Sequence, residues 1–533
     1  TSASGLANFS SDTGLSIVKT NPGNSAILEY NLNTPSQAPM VLVEGSWLNF
    51  SKTFPIINSN LLETLLFWTD DRNQPRKINV NTALNASFTS EQQYADGNWG
   101  YYKNEDHVSV AKYAPITPIQ LWKLYENGGS PTYETTMKDV VSEKLPDGTT
   151  ANPDYDATYG GDPDFLEDKF VKFSYRLKFD DGEYSLMAPF TQAAYIPKQD
   201  GFFLTDDEDD TFRSTVVGFM ENKVNNISLR IPMPYVINGT GENPEEANLM
   251  QCDQISELMK ITEVEILYKE SDALAVQVLD RLPLSTVETG GTSKFYEYDY
   301  QARKPYRTLP SAALVRVFDK IPPRAKTQEV ISNRVVYGNY VNKLTPPETL
   351  NYNVALSDKY PLFDLFGEPN PEQGRTSVVE YPQHTVKNNR NYQVAIVLSD
   401  RYGRSSTPIL SEVTDSVSSQ GINYGGSTFY APYRYSAAGP GVNESTVLNW
   451  AGDSIKVLFN DVITSTKNDL LSNSTGTGTP GIHSYNTSIS SLMVPGGWFS
   501  YKVVVRQVEQ EYYNIYLPGI INGYPGHTEY FGE

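Results

Sequence analysis

A chain of 533 residues exceeds what one hydrophobic core organises, so several units of roughly 100 to 200 residues each are expected. The formal charge of −21, from 63 acidic and 42 basic residues, excludes a surface that holds phosphate backbones by its average charge, and the chain shows no segregated basic patch. The single cysteine, Cys252, excludes an internal disulfide framework, and no apolar run reaches the length of a membrane-spanning helix.

With 36 Tyr against 6 Trp, and 34 Pro and 37 Gly at short intervals, the composition favours half-buried strands separated by turns. The sequence begins at Thr1 without an initiator Met or an apolar leader, so a targeting segment is expected to be absent or already removed. Short strands are expected near residues 27 and 40. LLFWTDDRNQPRKINVN at 65 to 81 reads as a strand, a polar turn from Asp70 to Pro75 and a second strand, with nothing helical in this part. Residues 130 to 168 are turn-rich and acidic, as expected of a surface insertion.

At 170 to 190, Phe173, Tyr175, Leu177 and Phe179 alternate up to an Asp181-Gly182 turn, and Pro189 closes the return strand, which is a hairpin pattern. The interleaved Lys172, Ser174, Arg176 and Lys178 are expected to face water. The acidic run Asp206 to Asp210 follows, then an alternating stretch at 224 to 237. Residues 244 to 260 form the best helix candidate, with acids near the start and Lys260 at the end.

ITEVEILYKES from 261 and AVQVLDRLP after it read as strands. Residues 313 to 341 read as two strands flanking a Pro322-Pro323 break. A second hairpin occupies 391 to 410, where Tyr392, Val394, Ile396 and Leu398 alternate before a Ser-Asp-Arg-Tyr-Gly turn. Its off-face Ala395 and Val397 predict a strand covered on both sides. Strand 261 to 268 and this hairpin are expected to share one sandwich. A looser third version spans 499 to 518, with Phe499, Tyr501, Val503 and Val505 in alternation.

Motifs that carry chemistry are few. Gly476 to Gly481 matches the spacing of a dinucleotide loop, but follows a polar run and precedes no helix, so it reads as a loop. Asp206 to Asp210 lacks the alternation, central Gly and terminal Glu of a calcium loop. The histidines, His107, His384, His483 and His527, lie far from one another and from Cys252, so no zinc spacing exists. Asn-x-Ser/Thr triplets at Asn49, Asn85, Asn226, Asn238 and Asn486 are at the level an Asn-rich chain produces by chance. Trp99, Tyr101 and Tyr102 suit sugar stacking, a core or an interface. No catalytic, cofactor-binding or metal-ligating residue is assigned, and no cofactor is expected.

Two stretches go beyond generic β composition. LLFWTDDRNQPRKINVN (65 to 81) and WFSYKVVVRQVEQEYYNIYLPGIINGYP (498 to 525) resemble segments of large tail proteins of short-tailed bacteriophages, the second in particular the muzzle (stabilization) proteins of crAss-like phages of Bacteroides. KITEVEILYKES and YQVAIVLSDRYGRSS resemble the fibronectin-type modules of such proteins. The resemblance implies a mainly β, multi-domain virion protein with sandwich modules and long insertions, at the distal tail and equivalent to the nozzle of T7-like phages. It implies a homo-oligomeric ring beside other phage tail proteins, through which genomic DNA passes without specific binding, and it brings no catalytic residue. The family's chains are longer than 533 residues, so the resemblance also implies that this sequence is a piece of one.

On this reading the expected units are a β-rich domain with the acidic insertion (1–168), a hairpin with an acidic linker (169–225), a fibronectin-like module with an insertion (226–415) and a C-terminal β-rich domain (416–533). Arg72, Arg76 and Lys77 are expected to form ion pairs at a subunit contact. A carbohydrate- or receptor-binding adhesin built of the same modules, and a polysaccharide hydrolase using a carboxylate pair, are the competing classes.

Overall fold

Val171, Phe173, Tyr175, Leu177 and Phe179 are all buried, as their alternation requires, in a computed structural model that describes residues 25–33, 40–85, 100–199, 220–358, 386–431, 453–460 and 500–508, with short gaps inside these ranges. Their strand, Val171–Phe179, pairs antiparallel with Ile261–Glu270, which pairs with Gln277–Pro283 and, beyond it, Arg307–Thr308. A second sheet, Phe295–Tyr300, Asn226–Pro232 and Met137–Lys138, sends Ile227, Leu229, Ile231 and Tyr300 into the same core. The rings of Phe173, Tyr268 and Tyr300 meet at its centre with centroids 5.3 to 6.5 Å apart. Each large apolar side chain buried there contributes about 1.5–3 kcal/mol.

A second core joins the sheet of Thr428–Ala431, Arg390–Ser399 and Ser500–Val508 to the antiparallel pair Tyr352–Asp358 and Asp453–Phe459. Val394, Ile396 and Leu398 face Leu350, Tyr352 and Val354 within it. The Tyr352 hydroxyl lies 3.0 Å from the carbonyl oxygens of both Val394 and Ile409, so a polar tip is satisfied inside an apolar layer. A third, smaller sheet, Asn58–Leu62, Leu65–Thr69 and Arg76–Asn79, packs Trp68 and Ile78 against Leu42, Val43, Leu48 and Val108. The molecule is mainly β, built of several antiparallel sheets, as the composition and alternation indicated.

The two hairpins are one construction used twice. Leu177 and Leu398 each donate their N–H to the hydroxyl of the serine eight positions on, Ser185 at 2.9 Å and Ser406 at 3.1 Å, and each serine returns its own N–H to that leucine's carbonyl at 2.8 Å. Gly182 and Gly403 occupy the same turn position with φ of 79° and 78°, a left-handed conformation that a Cβ disfavours. Their N–H groups donate to Phe179 and Asp400, both at 3.0 Å.

Several expectations are corrected. Strand 261–270 lies beside 171–179 and not with the 391–410 hairpin, whose strand belongs to the other core; one sheet therefore crosses the boundary drawn at 225/226. Ser174 and Arg176 are buried and do not face water. Arg176 and Arg281 both donate to the buried Glu265, and Tyr184 covers the Arg176 guanidinium at 4.0 Å. A polar face can thus be buried when cross-strand charges neutralise one another, which hydrophobic periodicity does not register. In the second strand Ala395 is buried and Val397 half-buried.

Among the described residues of the helix candidate 244 to 260, Ala247–Leu249 is a strand paired with Tyr235–Ile237, and residues 255, 256 and 259 are helical. A short helix, Val80–Asn85, takes up the last two residues of the 65 to 81 stretch, where nothing helical was expected. Ser311–Leu314 is a helical turn, the rest of the strand expected before the Pro322-Pro323 break lies outside the described residues at 315–320, and two strands, Ala325–Ile331 and Arg334–Tyr340, follow the break. Strand Ser500–Val508 is present and pairs with Arg390–Ser399; the rest of the third hairpin lies outside the described residues.

Ser406→Ala removes the acceptor of a buried strand N–H and is expected to cost about 1–3 kcal/mol, with Ser185→Ala the equivalent in the first hairpin. Urea denaturation followed by tryptophan and tyrosine fluorescence reads both. Ile396→Asp places a carboxylate at a fully buried position and is expected to abolish soluble folded protein, checked by expression and circular dichroism.

Candidate functional site

The stretch 65 to 81 forms a platform on which both hairpin turns sit. Its loop is shaped locally: Asp70 accepts from the N–H groups of Arg72 at 3.1 Å and Asn73 at 2.7 Å, and from the Asn73 amide at 2.6 Å. That side-chain turn lets Asp71 take a left-handed φ of 57°. The Asp71 N–H and the Thr69 hydroxyl then both donate to the Ala325 carbonyl, at 2.9 and 2.6 Å, which ties the loop to the strand after the double proline.

Beside the loop stands a one-turn helix, Glu105–Val108, capped by the Asn104 side chain accepting from the His107 N–H at 3.1 Å. Asn104 followed by two acids is a local signal for this turn that hydrophobic periodicity does not register. Its carboxylates receive the second hairpin. Arg401 pairs with Asp106 at 2.9 Å and Glu105 at 3.2 Å, and Arg76 reaches Glu105 from the other side at 3.2 Å. The Tyr402 hydroxyl, fully buried, donates to Asp106 at 2.5 Å and accepts from Gln74 at 2.8 Å and Arg401 at 2.6 Å. Arg404 closes the turn on Asp400 at 2.7 Å and reaches the Pro322 carbonyl at 3.2 Å.

Burial pushes the Asp106 carboxyl up, against the pull of Arg401 and Tyr402, and pushes the Tyr402 hydroxyl well above its ordinary value. Burial opposes the Arg401 charge, but Tyr402, Asp106 and Glu105 more than offset it and hold the guanidinium protonated.

The first hairpin meets the same platform through its turn. Lys77 pairs with Glu183 at 2.5 Å and Asp181 at 3.3 Å, and Lys112 with Asp181 at 2.6 Å. Burial raises the Asp181 carboxyl, and Lys112 and Lys77 outweigh it, so the group stays below its ordinary 3.8. A cleft of about 330 Å³ opens beside this contact, lined by Tyr101, Tyr102, Lys77, Lys112, Asp181 and Lys260. Lys260 sits 3.8 Å over the Tyr101 ring. Burial lowers its ammonium, and burial together with Lys260 brings Lys103 to about 8. Burial carries Tyr102 to about 12, its hydroxyl accepting from the Asn79 N–H at 2.7 Å.

Arg76 and Lys77 therefore form their ion pairs inside one chain, between platform and hairpin turns, and not at the subunit contact expected of them. The reason is distance in sequence: their partners lie at 105 and at 181 to 183, beyond the reach of a local pattern. Tyr101 has one ring face under Lys260 and an edge contact to Tyr102 at 5.0 Å, so it packs within the protein. His107 is buried, with Nδ1 accepting from the Lys103 N–H at 3.0 Å. Trp99, Asp206 to Asp210, Cys252, His384, His483, His527 and Gly476 to Gly481 lie outside the described residues. Among the described residues no group of His, Cys, Asp and Glu has the geometry of a metal site, and no helix is long and apolar enough to cross a membrane.

Tyr402→Phe removes the hydroxyl that Asp106, Gln74 and Arg401 share and is expected to destabilise the second module by about 1–3 kcal/mol, seen as faster limited proteolysis near the 400–404 turn. Acid acts on the first turn. Because the folded Asp181 value is depressed, its stabilisation is complete above the ordinary carboxylate value and lost as pH falls through the lower folded value. Asp181→Asn is expected to flatten the acid limb of a stability–pH curve; an unchanged limb would exclude this pair as its source.

Neither a protein-family model nor a curated protein sequence matches this chain.

Proposed function

We propose that this chain is a structural component of a bacteriophage tail, of the muzzle or nozzle kind, that assembles as a ring around the channel through which DNA leaves the particle. The reading rests on the resemblance of 65 to 81 and 498 to 525 to such tail proteins. The observation that carries it furthest is a well-formed surface of exposed apolar side chains on open strands. Among the described residues the hairpin Ala325–Ile331 and Arg334–Tyr340 is a sheet of its own, and it exposes Ile331 (56%), Val336 (49%) and Tyr340 (53%). It lies beside strand Asn58–Leu62, where the Asn58 amide donates to the Gln328 carbonyl at 2.9 Å and Leu61 is 65% exposed. Open edges with unpaired apolar residues are what monomeric proteins avoid and assembling proteins bury.

The charge agrees with a conduit. Each Lys or Arg contact to phosphate adds affinity and so drag on a moving duplex, whereas a wall of net charge −21 lets it slide. The platform suits a load-bearing part, since its ion pairs, Arg76 and Arg401 on Glu105, Arg401 on Asp106, and Lys77 and Lys112 on Asp181, fix how two modules meet. The role is mechanical, with no hydrolase chemistry.

Sedimentation of the purified chain is expected to give a closed multimer, visible as rings by electron microscopy, with no measurable duplex DNA binding at physiological salt. A stable monomer that binds duplex DNA in a salt-dependent manner would overturn the proposal.

A further inference from the structure

The cleft beside the first hairpin turn holds an amine and a carboxyl group whose positions the backbone fixes. The Asp180 N–H donates to the Lys260 carbonyl at 2.9 Å, so the two side chains leave neighbouring points of the main chain, and both residues line the cleft. The Lys260 N–H donates to the Ser256 carbonyl at 3.1 Å, and the residue takes a left-handed φ of 59°. A side chain with a Cβ pays strain for that conformation, and the two backbone hydrogen bonds hold it there. From this fixed point the stem reaches Tyr101, and the ammonium sits 3.8 Å over its ring.

The charges around the cleft fall into two sets. Lys77 and Lys112 are occupied by Asp181 and Glu183. Lys260 has as its neighbour another cation, Lys103, which burial and Lys260 together bring to about 8, and repulsion between two ammonium groups acts on both of them. Burial also lowers the Lys260 ammonium, with Asp180 pulling the other way. Desolvation and the charge of Asp181 raise the Asp180 carboxyl, with Lys260 opposing. An amine held toward its neutral form beside a carboxyl held toward its protonated form supplies what imine formation needs, a nucleophile and an acid. Tyr113, Phe179 and Met259 give the cleft an apolar lining, which suits an uncharged carbonyl compound better than a hydrated ion.

We propose that Lys260 is a carbonyl-reactive amine with Asp180 as its proton donor, and that the cleft takes a small aldehyde with an apolar or aromatic body. The neutral Lys260 amine adds to the aldehyde carbon; the C–N bond forms, the carbonyl π pair moves to oxygen, and a proton passes from nitrogen to that oxygen. The Asp180 carboxyl then protonates the hydroxyl, which leaves as water while the nitrogen lone pair forms the C=N bond. The remaining N–H proton returns to the Asp180 carboxylate. One amine and one aldehyde give one imine and one water, with no change of oxidation state, so occupation of the cleft is covalent and reversible. Such a site goes beyond the mechanical role and does not depend on it.

Treatment of the full chain with benzaldehyde and cyanoborohydride, which reduces an imine to a stable secondary amine, tests the site. Peptide mapping by mass spectrometry is expected to show Lys260 modified about tenfold or more faster than the exposed Lys52 and Lys326 at neutral pH. Equal rates at the three positions, or labelling of Lys103 in place of Lys260, would overturn the proposal, and both results are read on the unaltered chain. Asp180→Asn, with folding checked by circular dichroism, separates the two roles. Imine formation at Lys260 is expected to slow several-fold, whereas acetylation by acetic anhydride, which needs the neutral amine but no acid, is not slowed. Slowing of both reactions, or of neither, would overturn Asp180 as the proton donor.

Discussion

The ionic knot of Arg76, Glu105, Asp106, Arg401 and Tyr402 holds the described molecule together. Charges taken out of water are destabilising unless every one is paired, and removing a single partner from such a group costs about 3–5 kcal/mol. The knot is stable only when helix Glu105–Val108, the platform loop and the second hairpin turn are all in place. Few other arrangements satisfy it, so it specifies how these parts meet more than it stabilises any of them. An apolar contact of the same area would tolerate sliding; a guanidinium between two carboxylates does not.

The repeated hairpin gives this arrangement its economy. Both copies share the left-handed glycine and the serine that accepts the leucine N–H, and both present their turn to the same platform. They differ in the sign of what they present. The first offers the carboxylates Asp181 and Glu183 to Lys77 and Lys112, and the second offers Arg401 to Glu105 and Asp106. The platform is accordingly basic on one side and acidic on the other, so neither turn can take the other's seat without placing like charges together. One backbone device thus serves two positions, and side-chain charge distinguishes them.

The same division of labour extends to the surface. In the assembly proposed above, the apolar residues left exposed at the hairpin of 325–340 would supply association energy, and the uneven placement of acids and bases would supply orientation. A net charge of −21 would by itself keep copies apart at long range, so the proposed association would depend on local opposites coming within a Debye length. Assembly of this kind strengthens as salt screens the overall repulsion and weakens once the specific pairs are screened too.

Alternation of Phe173 to Phe179 and of Val394 to Leu398, with the Asp-Gly and Tyr-Gly turns that follow, determined by themselves that these segments are hairpins, because a period of two and a left-handed glycine are local properties. The alternation in 226–232 was legible for the same reason, whereas the insertion expected at 130–168 lies on the surface only in part, since Met137–Lys138 pairs with Asn226–Pro232 and Leu166 is fully buried. Partnership was not. That 261–270 pairs with 171–179, that Arg176 is buried on Glu265, and that Arg76 and Lys77 find Glu105, Asp181 and Glu183 are facts of contact across tens to hundreds of residues, which no window of sequence contains. The helix expected at 244 to 260 gave way at its start for the same cause: an edge offered by Tyr235–Ile237 outweighs a propensity of a few tenths of a kcal/mol per residue. Local stereochemistry set the elements, and long-range burial of charge decided how they meet.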